Sequence, residues 1–184
     1  MKLLRNRKIA ILITAVVVVV AVLIGVNKSL TRLSRDIEGM FYDGVYLESG
    51  GYTQPGIDAA LLKHADATLG LTTVLTNYPN LRDGAEEAAR LRRELLDAAS
   101  ISEKGIAFRA MSRDVDNLIK AASEVELSER DLTALSQYSS TVFGAETFVK
   151  EAAYNERASE LWSERSVFTR IIGMVLPARV PEMF

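Results

Sequence analysis

The sequence predicts an all-α protein in which a single N-terminal transmembrane helix leads into an elongated antiparallel bundle of three to four long helices. Three observations predict it. Residues Ile9 to Val26 form a run of 18 residues without a charge. Beyond residue 26, apolar residues recur at three- and four-residue steps through most of the chain. Alternating Val/Ile/Thr runs joined by hairpin turns, the mark of a β domain, are missing.

Residues 1–8 are a basic leader carrying Lys2, Arg5, Arg7 and Lys8, and residues 9–26 are the membrane helix. Thirteen of these 18 are Val, Ile or Leu, including five consecutive valines, and Thr14 is the one polar side chain. Each of the thirteen favours insertion by roughly 0.3–0.6 kcal/mol near the bilayer centre. As a helix the run spans about 27 Å, close to the hydrocarbon thickness of a bilayer. A cleaved signal peptide competes with a retained anchor. The run is long for a signal core, and the exit Leu23-Ile24-Gly25-Val26-Asn27-Lys28 lacks the small-x-small pattern of a cleavage site. A retained anchor fits better. Four basic residues precede the helix, against Lys28, Arg32 and Arg35 behind it, which places the N-terminus in the cytoplasm and residues 27–184 outside.

Leu30, Leu33, Ile37 and Met40/Phe41 carry a first helix straight out of the membrane to Asp43-Gly44. The stretch Glu48 to Gly56, with three glycines and a proline, breaks it. A second helix carries Ile57, Leu61, Leu62, Ala65, Leu69 and Leu75 and stops at Asn77-Tyr78-Pro79-Asn80. Residues 82–122 read as one continuous rod, although Ser100-Ile-Ser-Glu103 has the form of a capping box within it. A second such box, Ser128 to Asp131, opens a last rod that carries Leu132, Leu135, Tyr138, Val142, Ala145, Val149, Ala152, Leu161 and Trp162 to about Ile172. Long rods joined by short breakers mean an antiparallel bundle. Small residues such as Ala88, Ala99, Ala152 and Ala158 let its helices sit close.

With four of the 22 basic residues in the leader, the remaining 18 face 24 acids, a net charge near −6. That balance argues against nucleic acid and against a polybasic grip on anionic lipid. The chain has no cysteine, so a disulfide framework, an iron–sulfur site and a zinc ribbon are excluded. Its one histidine, His64, reads as a surface or boundary residue on a helix flank. Glu-x-x-His pairs, HExxH and Gly-rich phosphate loops are absent. The acidic runs Glu86-Glu87, Glu124/Glu126 and Glu129/Asp131, beside Arg90, Arg92, Arg93 and Arg130, read as solvated helix faces. Trp162, Tyr138, Phe148 and Tyr154 read as core. No residue stands out as catalytic, cofactor-binding or metal-ligating, and no cofactor is expected. The tail 166–184 is unusually apolar for a terminus and either caps the bundle or touches the membrane.

The closing pattern Ala153-Tyr154-Asn155-Glu156-Arg157-Ala158, followed by Phe168 and an apolar tail, resembles the LemA family. So do Tyr78-Pro79-Asn80-Leu81-Arg82 before Leu91 and Glu94-Leu95, and Ile106-Ala107-Phe108-Arg109. Thr169 stands where the family tends to have proline, the tail is shorter, and the break at 49–56 interrupts a usually more continuous first helix pair. The resemblance implies an antiparallel bundle on a membrane stalk, without catalytic activity or catalytic residues. The expected function is a non-catalytic interaction or scaffold protein of a bacterial cell envelope, working through protein partners or self-association. A sensory ectodomain is the alternative, weakened by the lack of a second spanning run; Ile171 to Leu176 is far too short. An enzyme is more remote still.

Overall fold

The computed structural model describes residues 7–47, 51–152, 154–163, 181, 182 and 184. The chain is all-α in class. Helix α1 (Arg7–Asp43) is followed by two short strands, β1 (Val45–Leu47) and β2 (Tyr52–Gln54). Then come α2 (Ile57–Leu75), α3 (Arg82–Asp97), α4 (Ile101–Ala122), α5 (Glu129–Glu151) and α6 (Tyr154–Ser163).

Helix α1 is unbroken for 37 residues. Its most apolar window has a mean hydropathy of 3.3 and none of it is buried inside the protein. The helix is therefore long and apolar enough to cross a membrane. At its far end the character changes. Ser34, Ile37, Glu38 and Phe41 are buried against the rest of the molecule, Phe41 completely. The apolar stretch and the first packed helix are thus one rigid element.

Gly44 ends α1 as the sequence predicts. It takes φ +86°, and a Cβ there would lie 2.0 Å from the Gln54 carbonyl oxygen, so only glycine fits without displacing backbone. The expected break at 48–56 does separate the first two helices, but the expectation that no strand is present is corrected beside it. Val45 pairs with Gln54 and Leu47 with Tyr52 in a small antiparallel hairpin. Val, Tyr and Thr at those positions favour extended backbone, and Gly51 (φ +66°) supplies a positive φ at the turn end.

Helices α2–α5 run up-down-up-down. Asp58 at the start of α2 pairs with Lys104 at the start of α4, and Tyr78 just past α2 donates to Asp131 at the start of α5 (2.6 Å). Helix α2 is the hub, packed on α3 and α5, while α4 leans chiefly on α3 and meets α5 at few points. That leaves one seam of the bundle open. The core combines Leu61, Leu71, Leu75, Met111, Val115 and Val142 with small residues that allow close approach. The Gly70 Cα lies under the Tyr138 ring, where a Cβ would come within 2.4 Å of it.

Two expected rods are broken. Residues 82–122 form two helices, because Ser100 accepts from Glu103 N (3.1 Å) while Glu103 accepts from Ser100 N (3.1 Å) and Ala99 N (3.0 Å). These bonds satisfy one amide of the first turn of α4 and the two amides just before it, and stabilise a chain reversal. The last rod stops at Glu151; Ala152 is extended (ψ 130°) and α6 restarts at Tyr154. Tyr154 is buried against the Phe41 ring, at 5.4 Å between centroids, and its hydroxyl donates to the Glu182 carbonyl. Burying that side chain at the foot of α1 accounts for the change of direction.

The end of the chain caps the bundle. Phe184 rests on Phe41 and Phe108, with centroids 5.5 and 5.9 Å away, and the Glu182 carboxylate accepts from Ser102 N. The expectations for 166–180, and for the Leu161 and Trp162 side chains, lie outside what is described.

Candidate functional site

His64 is where the structure departs most from the sequence reading. It is fully buried, not a boundary residue, and sits on α2 between α4 and α5. Its Nε2 lies 3.3 Å from Glu146 Oε1 on α5 and 3.4 Å from Ser112 Oγ on α4. Its Nδ1 lies 3.2 Å from Thr68 Oγ1, one turn along α2. The Phe108 ring meets the imidazole edge-on at 5.2 Å. Buried polar groups in low dielectric must be paired, and these bonds pair both ring nitrogens.

Charge and tautomer follow from these partners. Burial pushes the His64 pKa below its ordinary 6.5, against the Glu146 bond and charge, which pull it up. The ring is then neutral at neutral pH. A neutral ring facing a carboxylate carries its proton on Nε2 and donates it to Glu146. Thr68 donates to Nδ1. On protonation, Thr68 can turn its hydroxyl to the His64 carbonyl oxygen, 3.0 Å away, and accept from Nδ1–H instead. One threonine thus satisfies both states of the imidazole.

Ser112, His64 and Glu146 superficially form a serine–histidine–carboxylate set. Their geometry does not support a relay. In such a relay the serine and the acid occupy opposite ring nitrogens, so that one nitrogen is free to take the serine proton. Here both lie on Nε2, whose proton is committed to Glu146, and Nδ1 faces Thr68. With its proton on Nε2, the imidazole joins α2 to α5 and is not a base toward Ser112.

Glu146 and Ser112 also line the open seam between α4 and α5, a cleft of about 450 Å³. Phe108, Val149 and Phe184 give it an apolar wall, and Arg109, Arg113, Asp116 and Lys150 add charge. The Asp116 pKa is raised, first by desolvation and then by the Glu146 charge.

The remaining expectations divide. Glu87 and Glu94 pair with Arg90 on an exposed face of α3, as read from sequence. Arg92 does not stay on that face; its Nε donates to the Ala65 carbonyl oxygen (2.8 Å), tying α3 to α2. Ser128 caps α5, its Oγ accepting from Asp131 N, and the Asp131 carboxylate accepts from the Tyr78 and Ser128 hydroxyls. Tyr154 is core; Tyr138 and Phe148 pack at its margin. Leu132, Leu62 and Leu69, placed on apolar faces by the sequence, are about half exposed. Among the described residues no three His, Asp or Glu side chains converge as metal ligands.

A sequence signal for His64 did exist. Ile57, Leu61, His64, Thr68, Leu71 and Leu75 fall at alternating four- and three-residue steps, a buried seam with two polar members. Leu62 and Leu69 draw a hydrophobicity reading off that seam. No protein-family model, curated protein or solved structure matches the chain.

Proposed function

We propose that this chain is a diverged LemA-like protein: a membrane-anchored, non-catalytic helical bundle that docks with protein partners, or with itself, at a bacterial cell envelope. The N-terminus is cytoplasmic and the bundle lies outside. One observation carries the reading. Helix α1 passes without a break from an exposed apolar stretch to the buried Phe41, so the bundle is held on a stiff stalk rather than a flexible tether. The committed Nε2 proton of His64 supports a structural role for the polar cluster. Exposed apolar side chains, Phe143 (70 %), Leu132 (50 %) and Leu62 (48 %), offer docking surface.

The test is photo-crosslinking in membranes from positions 62, 132 and 143. Discrete adducts to a second copy or to one envelope protein are expected. The absence of adducts from all three positions overturns docking. Loss of the biological activity in Ser112→Ala, with fold and adducts intact, would restore an enzyme. The open seam favours a second reading, a ligand-sensing ectodomain.

A further inference from the structure

The seam between α4 and α5 holds opposite charges that do not pair. Arg109 and Arg113 stand one turn apart on α4, and Lys150 faces the same cleft from α5. Asp116 and Glu146 share that lining. Among the described residues, none of the three cations forms an ion pair, and the one ion-pair partner of Glu146 is His64. Flexible side chains of opposite charge on one surface ordinarily gain a little by pairing, as Arg90 does with Glu87 and Glu94. Here both signs remain available to a third party.

We propose that this cleft binds a small zwitterion of the amino-acid type carrying an apolar side chain. Each part of such a molecule has a counterpart in the lining. A carboxylate suits Arg109 and Arg113, whose guanidinium forks match its geometry, with Lys150 adding charge. An ammonium suits Asp116 and the free oxygen of Glu146. His64 occupies Glu146 Oε1 only, and Oε2 has no hydrogen-bond partner among the described residues. The apolar side chain suits Phe108, Val149 and Phe184. A volume of about 450 Å³ lies in the range of ~300–1,000 Å³ usual for small-molecule sites. It accommodates one aromatic amino acid with a few waters. A purely anionic ligand would meet the Glu146 and Asp116 carboxylates, and a purely cationic one the three basic side chains.

Phe184 connects this site to the stalk, touching Phe108 on one side and Phe41 at the end of α1 on the other. The assignment stands apart from the docking reading and survives its failure.

The test uses the full chain in lipid nanodiscs, titrated calorimetrically with phenylalanine, leucine, 3-phenylpropionate and 2-phenylethylamine. Phenylalanine is expected to bind at least tenfold more tightly than either single-charge analogue, about 1.4 kcal/mol or more. Arg113→Gln should weaken phenylalanine and the acid but not the amine. Asp116→Asn should weaken phenylalanine and the amine but not the acid. Both positions are exposed, and an unchanged helical circular dichroism spectrum separates lost binding from lost fold. Equal affinity for phenylalanine and its two analogues overturns the proposal. So does the absence of binding by phenylalanine and leucine at about 10 mM, a bound near −2.7 kcal/mol.

Discussion

His64 Nε2 and Glu146 Oε1 lie 3.3 Å apart although 82 positions separate them in the chain. The bond joins the hub helix α2 to α5, and Thr68 and Ser112 complete its surroundings. A buried polar cluster of this kind fixes register, because sliding either helix would leave the groups unpaired in low dielectric.

Stability should depend on pH through this pair. The folded His64 pKa is below the ordinary 6.5, so between those values the unfolded chain binds more protons than the folded one. Stability is therefore full above 6.5 and falls as the pH drops toward the folded value. Asp116, raised from 3.8, acts in the opposite sense at lower pH, with an effect reduced by its exposure. Urea midpoints at about pH 7.5 and 5.5 measure the effect; the lower pH should give the lower midpoint. His64→Gln should flatten the difference.

Glu146→Leu should cost about 1–3 kcal/mol, because it removes the acceptor of the buried Nε2–H and leaves it only the longer contact to Ser112 Oγ, at 3.4 Å. Glu146→Gln keeps an acceptor and should cost less. It should also lower the imidazole pKa further by removing the carboxylate that raises it. Histidine NMR titration reads the second effect and denaturation the first. A raised pKa in Glu146→Gln would contradict this account of the pair.

Ser100→Ala should destabilise by about 1 kcal/mol, because the first turn of α4 loses its cap. The change should appear as a lower urea midpoint with an unaltered slope.

Two glycines should behave oppositely. Gly44→Ala puts a Cβ 2.0 Å from Gln54 O at φ +86° and should destabilise by more than about 1 kcal/mol. Gly144→Ala lies within α5 with open space around it and should stabilise by roughly 0.5–1 kcal/mol. Thermal melts of the two variants decide.

The helical class, the end of α1 and the bounds of α2 were legible because each is written locally, in a long apolar run, a glycine or a proline turn. The reversal at 98–100 was hidden by its own regularity. Ala88, Leu91, Leu95, Ala99 and Ile106 keep one phase across the turn, so hydrophobic spacing alone sees one rod, although Ala99 and Ile106 prove to be exposed. Only the capping box marks it. The break at Ala152 has no local mark at all, since Glu151-Ala152-Ala153 is good helix sequence. It arises from Tyr154 meeting Phe41, a contact between distant parts of the chain. The polar cluster was missed because burial is ordinarily read from apolar residues, and this seam contains His64 and Thr68.

The central claim is that α1 is a retained stalk presenting the bundle on the outer side of a membrane. The chain has no cysteine, so a single Glu126→Cys, at an exposed position between α4 and α5, reports without background. Intact cells are treated with a membrane-impermeant maleimide, and the protein is then recovered after an alkaline wash. The account predicts labelling before lysis and retention in the membrane pellet. Labelling only after lysis, or release of the protein by the wash, would contradict it.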